Sequence, residues 1–246
     1  MLEVCVGSLQ DAILAEQCGA DRLELNTALE VGGLTPSIGL ISKVLEKVNI
    51  PVVVMIRPRI AGFCYSEFEI ATMLQDMETI IKLNIEGIAI GVLNSDSSIN
   101  LPVMKKVVER CHQFGKKVIF HRAFDVITNF DIFKVTQQLI DVGVDRILTS
   151  VGGNYVTDNL PLLAELQGKF GEVITFVAAS GVNFNNCQYI CEQTGISQLH
   201  GSFSQNGFDM TTLGNKVDFS LNPEFDYKKL DSKSLKNTKK ALLLKK

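Results

Sequence analysis

The chain has 246 residues, 46% of them hydrophobic, with 24 Lys and Arg against 27 Asp and Glu for a formal net charge of −3. That slightly acidic balance argues against general nucleic-acid binding. The longest apolar runs, such as residues 51–56, are strand-sized, far short of the ~20 residues that span a bilayer, so no membrane partner is expected.

Met1-Leu2-Glu3 leads straight into Val4-Cys5-Val6 without a charged leader or cleavage site, which predicts a cytoplasmic protein. The six cysteines, at 5, 18, 64, 111, 187 and 191, contain no Cys-x-x-Cys and read as reduced thiols. Cys187 and Cys191, four apart on a helix-like segment, read as small buried apolar groups rather than a soft-metal pair.

Strand-like runs fall at residues 2–6, 22–26, 51–57, 87–91, 117–121, 146–150, 174–179 and 198–200, with helix-like segments between them. Ser8 with Asp11 forms a capping pair, Thr35-Pro36 offers a cap followed by a first-turn proline, and Ser66 with Glu69 reads as a capping box. Ile38, Ile41, Leu45 and Val48 fall on one helical stripe, and Ile70, Leu74, Met77 and Ile81 on another. Gly19, Gly115, Gly143, Gly171 and Gly195 stand where helices should stop, in the positive-φ role. Strand then helix, eight times over, predicts a single parallel (β/α)8 TIM barrel over residues 1–225, followed by a lysine-rich helix or tail over 226–246. No Gly-x-Gly-x-x-Gly follows a strand, so the nucleotide-binding open sheet has no support.

The stretch 19–26 (Gly-Ala-Asp-Arg-Leu-Glu-Leu-Asn) is echoed at 143–150 (Gly-Val-Asp-Arg-Ile-Leu-Thr-Ser), four units on, as a half-barrel repeat requires. Its Asp-Arg pairs belong at the bottom, as scaffold. After His200 the pattern decays. Residues 201–222 are polar and irregular, and 226–246 carries eight lysines, with Leu235 and residues 242–244 as apolar anchors.

The stretch 117–125 (Lys-Val-Ile-Phe-His-Arg-Ala-Phe-Asp) is a buried strand that runs directly into three groups able to carry charge, with a helix-like segment from about Thr128. Such a C-terminal mouth is where parallel α/β proteins bind ligands. His121 should titrate near neutral pH, Arg122 hold an anion, and Asp125 orient either; the structural alternative is an ion pair with Asp125 as a cap.

In a helix-wrapped barrel the outer strand face is apolar, so alternating polar residues face the axis. That rule sends Glu3 and Cys5, Arg22, Glu24 and Asn26, Arg57, and Gln198 and His200 inward. Arg57, Arg59 and Arg122 give the mouth surplus positive charge beside Glu24 and His121, which predicts a small anionic ligand; a self-satisfied salt-bridge lattice is the alternative. Ser180-Gly181 after the seventh strand and Gly201-Ser202 after the eighth are candidate phosphate loops.

Taken together, Glu3-Val4-Cys5, the 19–25 stretch, Gly32-Gly33-Leu34-Thr35-Pro36-Ser37, Met55-Ile56-Arg57-Pro58-Arg59, Phe63-Cys64-Tyr65-Ser66, Gly91-Val92-Leu93, residues 120–125 and Arg146-Ile147-Leu148-Thr149-Ser150 resemble the CutC family, over residues 3–202. The resemblance implies a cytosolic TIM barrel that forms a homodimer or higher homo-oligomer and takes part in copper homeostasis. It makes Cys5 the metal ligand, for Cu(I) as thiolate. Position 26 is often cysteine in the family and is asparagine here; Gly62 and Gln198 stand where the family has aspartate and glutamate.

Three functions follow as expectations. One is copper binding through Cys5, with Met55 or His200. A second is an enzyme acting on a small phosphorylated or carboxylated metabolite, with Glu24, His121 and Asp125 as catalytic residues and Arg57, Arg59, Arg122, Ser150, Ser180, Gly181 and His200 binding substrate. Schiff-base chemistry is disfavoured, because no lysine ends a strand. The third is an interaction scaffold.

Overall fold

The computed structural model describes residues 1–127, 129–214, 216–220 and 222–243. Thr128 and Leu244, named above as a helix start and an apolar anchor, lie outside the described residues. Strands β1 (Leu2–Val6), β2 (Arg22–Leu25), β3 (Val52–Met55), β4 (Gly87–Ile90), β5 (Lys117–Phe120), β6 (Arg146–Thr149), β7 (Thr175–Ala179) and β8 (Gln198–Gly201) pair in order. All pairings are parallel, and β8 closes on β1 with Glu3 opposite His200. Helices α1 (Leu9–Gln17), α2 (Ile38–Lys47), α3 (Glu67–Ile80), α4 (Leu101–Gln113), α5 (Ile132–Val142), α6 (Leu160–Phe170) and α7 (Cys187–Thr194) alternate with them. The chain is a (β/α)8 barrel.

Alternation decides the layers. Leu2, Val4, Leu23, Leu25, Val52, Val54, Ile88 and Ile147 pack outward into the main core with the helices. Val53, Met55, Ala89, Ile119, Leu148, Val177 and Ala179 form a separate cluster along the axis. The inward positions of β8, β1 and β2 are polar instead. The barrel interior is thus apolar on the β3 to β7 side and polar on the β8-β1-β2 side. This asymmetry positions the site.

Local signals held in most places. Ser8 accepts from the Asp11 N–H, and Ser66 with Glu69 closes a capping box. At α2 the cap is Ser37, because Thr35 is engaged with the Arg57 backbone through both its hydroxyl and its N–H. Gly19, Gly115, Gly143 and Gly195 have positive φ, whereas Gly171 caps α6 in the right-handed region at φ −62. The expected stripes face the core apart from Ile38, which is exposed: Ile41, Val48, Met77 and Ile81 are buried and Leu45, Ile70 and Leu74 pack against them, with Val44, Met73 and Ile80 buried beside them.

The repeated Asp-Arg pairs sit at the bottom. Asp21 accepts the first N–H of β1, from Leu2, at 2.7 Å, and Asp145 accepts that of Val118 in β5 at 2.8 Å. Arg22 and Arg146 both reach Glu86. Each aspartate therefore pins the start of the preceding strand, four units apart.

The irregular stretch after β8 contains β9 (Ser204–Gly207), which pairs antiparallel with β10 (Tyr227–Leu230). The Leu230 N–H is held by the buried Asp11 carboxylate at 3.0 Å. Helix α8 (Ser232–Leu243) then buries Leu235 and Thr238, with Lys239 bonded to Asp21, and completes the outer layer beside α7 and α1.

Candidate functional site

At the C-terminal mouth the inward side chains leave a cavity of about 300 Å³. Cys5, Glu24, Met55, Arg57, Phe63, His121, Arg122, Leu148 and His200 line it, together with Leu29, Glu30 and Gly32 after β2, Ser202 and Ser204 after β8, and Lys228 on β10.

Arg57 follows β3 and is only 6% exposed. Its Nη1 donates to the carbonyls of Val31 and Gly33 at 3.2 and 3.0 Å, its Nη2 to that of Ala61 at 2.6 Å, and its plane lies 5.2 Å from the Phe63 ring. Gly32, at φ +90, lets the loop close on the guanidinium, since a Cβ there would stand 3.1 Å from Nη1. Among the described residues no carboxylate pairs with Arg57; its buried Nε–H makes no well-formed hydrogen bond, and the buried Tyr65 hydroxyl lies close to the guanidinium as a neutral neighbour. Charge removed from water in this way calls for a counter-charge.

His121 follows β5, packs against Phe63 with ring centroids 4.9 Å apart and planes tilted by 50°, and is buried. Its Nδ1 accepts the Ala123 N–H at 3.1 Å, and its Nε2 has no partner among the described residues. Burial, then the charge of Arg57, pushes its pKa down to about 3. The expectation of a near-neutral titration is corrected on that ground: the ring is neutral at physiological pH.

On the polar side, ligand atoms of Cys5, Glu24 and His200 lie within 4.8 Å of one another. His200 Nδ1 bonds to Glu3 at 2.7 Å, its Nε2 stands 3.9 Å from Glu24, and Glu3 also pairs with Arg22. Against the opposing effect of burial, His200 and Arg22 hold the Glu3 carboxyl down at about 2. Burial, with Glu3 adding to it, raises Glu24. His200 is raised by Glu24 and Glu3, which outweigh its burial. Burial and the two carboxylates raise the Cys5 thiol well above its ordinary range. Asn26, in place of the family's frequent cysteine, donates to Glu24 at 2.9 Å and faces Cys5 Sγ at 3.5 Å.

The donor set of one thiol, one imidazole and one carboxylate, with the Met55 thioether on the same cavity, fits a metal ion of intermediate softness, and copper is within that range. Glu3 braces the far nitrogen of His200, as outer carboxylates do for metal-binding imidazoles.

The other residues expected at the site stand back from the cavity. Arg59 pairs with Glu69 and donates to the carbonyls of Ile60, Gly62 and Cys64, so it ties down its own loop. Asp125 accepts from Arg122, Thr149, Gly152 and both the N–H and hydroxyl of Ser150, and Ser150 is buried in that network. Ser180 donates to the Asn154 carbonyl, and Gly181 packs against Tyr155. Lys228 escaped sequence reasoning because nothing separates it from the other lysines of the C-terminal segment. Phe63 escaped because loop aromatics carry no periodicity.

The chain is a closed parallel (β/α)8 barrel with a charged cavity at its C-terminal mouth. The sequence profile of the CutC family matches residues 1–205, and the chain belongs to that family. A family protein CutC from Glaesserella parasuis is 39% identical over 201 residues, covering 82% of this chain and 81% of that one. Another, from Klebsiella pneumoniae, is 37% identical over 227 residues, covering 92% and 90%. A solved CutC structure from Streptococcus agalactiae, 33% identical, superposes with a TM-score of 0.76 over 82% of this chain and 98% of that one.

Proposed function

We propose that the barrel mouth binds a small phosphorylated or carboxylated molecule whose anionic group pairs with Arg57, within the cytosolic setting that the thiol-rich, unbridged cysteine content suits. The observation that carries this reading is a buried guanidinium without a carboxylate, aimed at a cavity. Lys228 adds positive charge at the rim beside Arg122, which is itself paired with Asp125, while Glu24 and His200 offer proton-carrying groups opposite. Calorimetric titration of the whole chain with inorganic phosphate and with pyruvate tests it, using Arg57→Lys as the variant. That change keeps the charge but loses the planar fork, and binding should weaken about tenfold or more. Equal affinity in variant and wild type would refute the reading.

A second reading, favoured by the Cys5–Glu24–His200 cluster and its Glu3 brace, is copper binding at that cluster. The family's Streptococcus agalactiae member is named for copper homeostasis. Bound there, copper would supply Lewis-acid or redox chemistry; Cys5 would have to release its proton on binding. A Cu(I) competition titration under reducing conditions tests this, and uptake unchanged in Cys5→Ser would rule it out.

A further inference from the structure

We infer that His121 donates its Nε2–H to an acceptor-only oxygen of the ligand, a carboxylate or carbonyl oxygen, bound beside Arg57. This rests on the Arg57 reading above and adds to it the kind of group that is recognised.

The geometry settles the tautomer. The Ala123 N–H points at Nδ1 from 3.1 Å, so Nδ1 offers a lone pair and the proton of the neutral ring sits on Nε2. Protonating Nδ1 would set two donors against each other and uncap the short 3-10 turn at residues 122–126, whose cap is His121. The low basicity of the ring, caused by burial and by Arg57 as the charged group facing it, agrees.

Position follows from packing. Phe63 packs against His121 in a tilted contact and lies under Arg57, so one ring holds both side chains to the same wall. Gly91 admits the imidazole, since a Cβ there would come within 2.7 Å of Cε1. The result is two buried N–H donors, Arg57 Nε and His121 Nε2, neither making a well-formed hydrogen bond among the described residues, with the neutral Tyr65 hydroxyl near Arg57 and no acceptor at all on His121 Nε2. A neutral donor beside a fixed cation polarises an oxygen without exchanging a proton with it. An ammonium on the ligand would present hydrogen toward hydrogen and be rejected, while a hydroxyl, whose oxygen keeps lone pairs, is a weaker acceptor here than a carboxylate.

The test uses the full chain labelled with 15N, whose three histidines are readily told apart by a His121→Gln spectrum. The His121 ring should show the Nε2–H tautomer throughout roughly pH 5 to 8. Adding pyruvate should move its Nε2 signal. His121→Leu should bind pyruvate about tenfold more weakly, and His121→Gln, which keeps an N–H donor, should recover most of that loss. A charged or Nδ1–H ring, or pyruvate binding that leaves Nε2 unmoved and His121→Leu unaffected, would overturn the inference. If Arg57→Lys still weakens binding in that case, the anion reading stands alone. No response of the wild type to pyruvate or inorganic phosphate overturns both. Should His121→Leu not fold, the wild-type ring signals decide.

Discussion

Replacing Glu3 with glutamine probes the link between the polar interior and stability. Glu3 is buried, pairs with Arg22 and bonds His200 Nδ1 at 2.7 Å, which holds its carboxyl at about 2 against an ordinary 4.5. A depression of that size is worth about 3 kcal/mol. Removing one partner of a buried ion pair costs about 3–5 kcal/mol in general. The low end applies here, because Arg22 keeps Gln198 at 2.9 Å and Glu86 at 3.8 Å. Both routes give about 3 kcal/mol for Glu3→Gln near neutral pH. The sign follows from the depressed pKa. The contribution is whole above the ordinary carboxylate range and disappears as pH falls from about 4.5 through about 2, so the gap between wild type and variant narrows with acid. Urea unfolding followed by far-UV circular dichroism suits a chain without tryptophan. A loss under about 1 kcal/mol, or a gap that stays constant on acidification, would refute the reasoning.

Gly91→Ala brings a methyl within 2.7 Å of both the His121 ring and the Ala123 Cβ, and should cost about 1–3 kcal/mol while weakening pyruvate binding. Thermal unfolding with a parallel titration checks it; unchanged stability would mean that the ring has room to move. Asp125→Asn disrupts the acceptor for Arg122, Thr149, Ser150 and Gly152, which holds Val151 in a turn at φ 53. A destabilisation of about 2–3 kcal/mol in urea unfolding is expected. Lys228, bonded to Asn206 at 2.6 Å and packed on Phe225, has no carboxylate pair among the described residues. Lys228→Gln should leave stability within about 0.5 kcal/mol and lower phosphate affinity about threefold to tenfold, read by calorimetry.

The barrel was legible in the chain because the period of two inside strands and the caps between them are local properties. The same alternation marked Glu3, Cys5, Arg22, Glu24 and His200 as interior, since leucines and valines beside them had to meet the helices. Pairing was not legible. Glu3 and His200 stand 197 residues apart and meet only because β8 closes on β1. Arg57 and Arg59 look alike in sequence, yet one turns into the cavity without a counter-charge and the other ends on Glu69. Asp125 reads as orienting either His121 or Arg122, and the fold shows it bonded to Arg122, Thr149 and Ser150. His121 reads as a titrating group until burial and the Ala123 N–H fix its charge and tautomer. Sequence determined which side chains leave water, because burial follows the repeat of each element. Only the closed barrel decided which of them find partners there, because hydrogen-bond and charge energies depend on distances that closure alone creates.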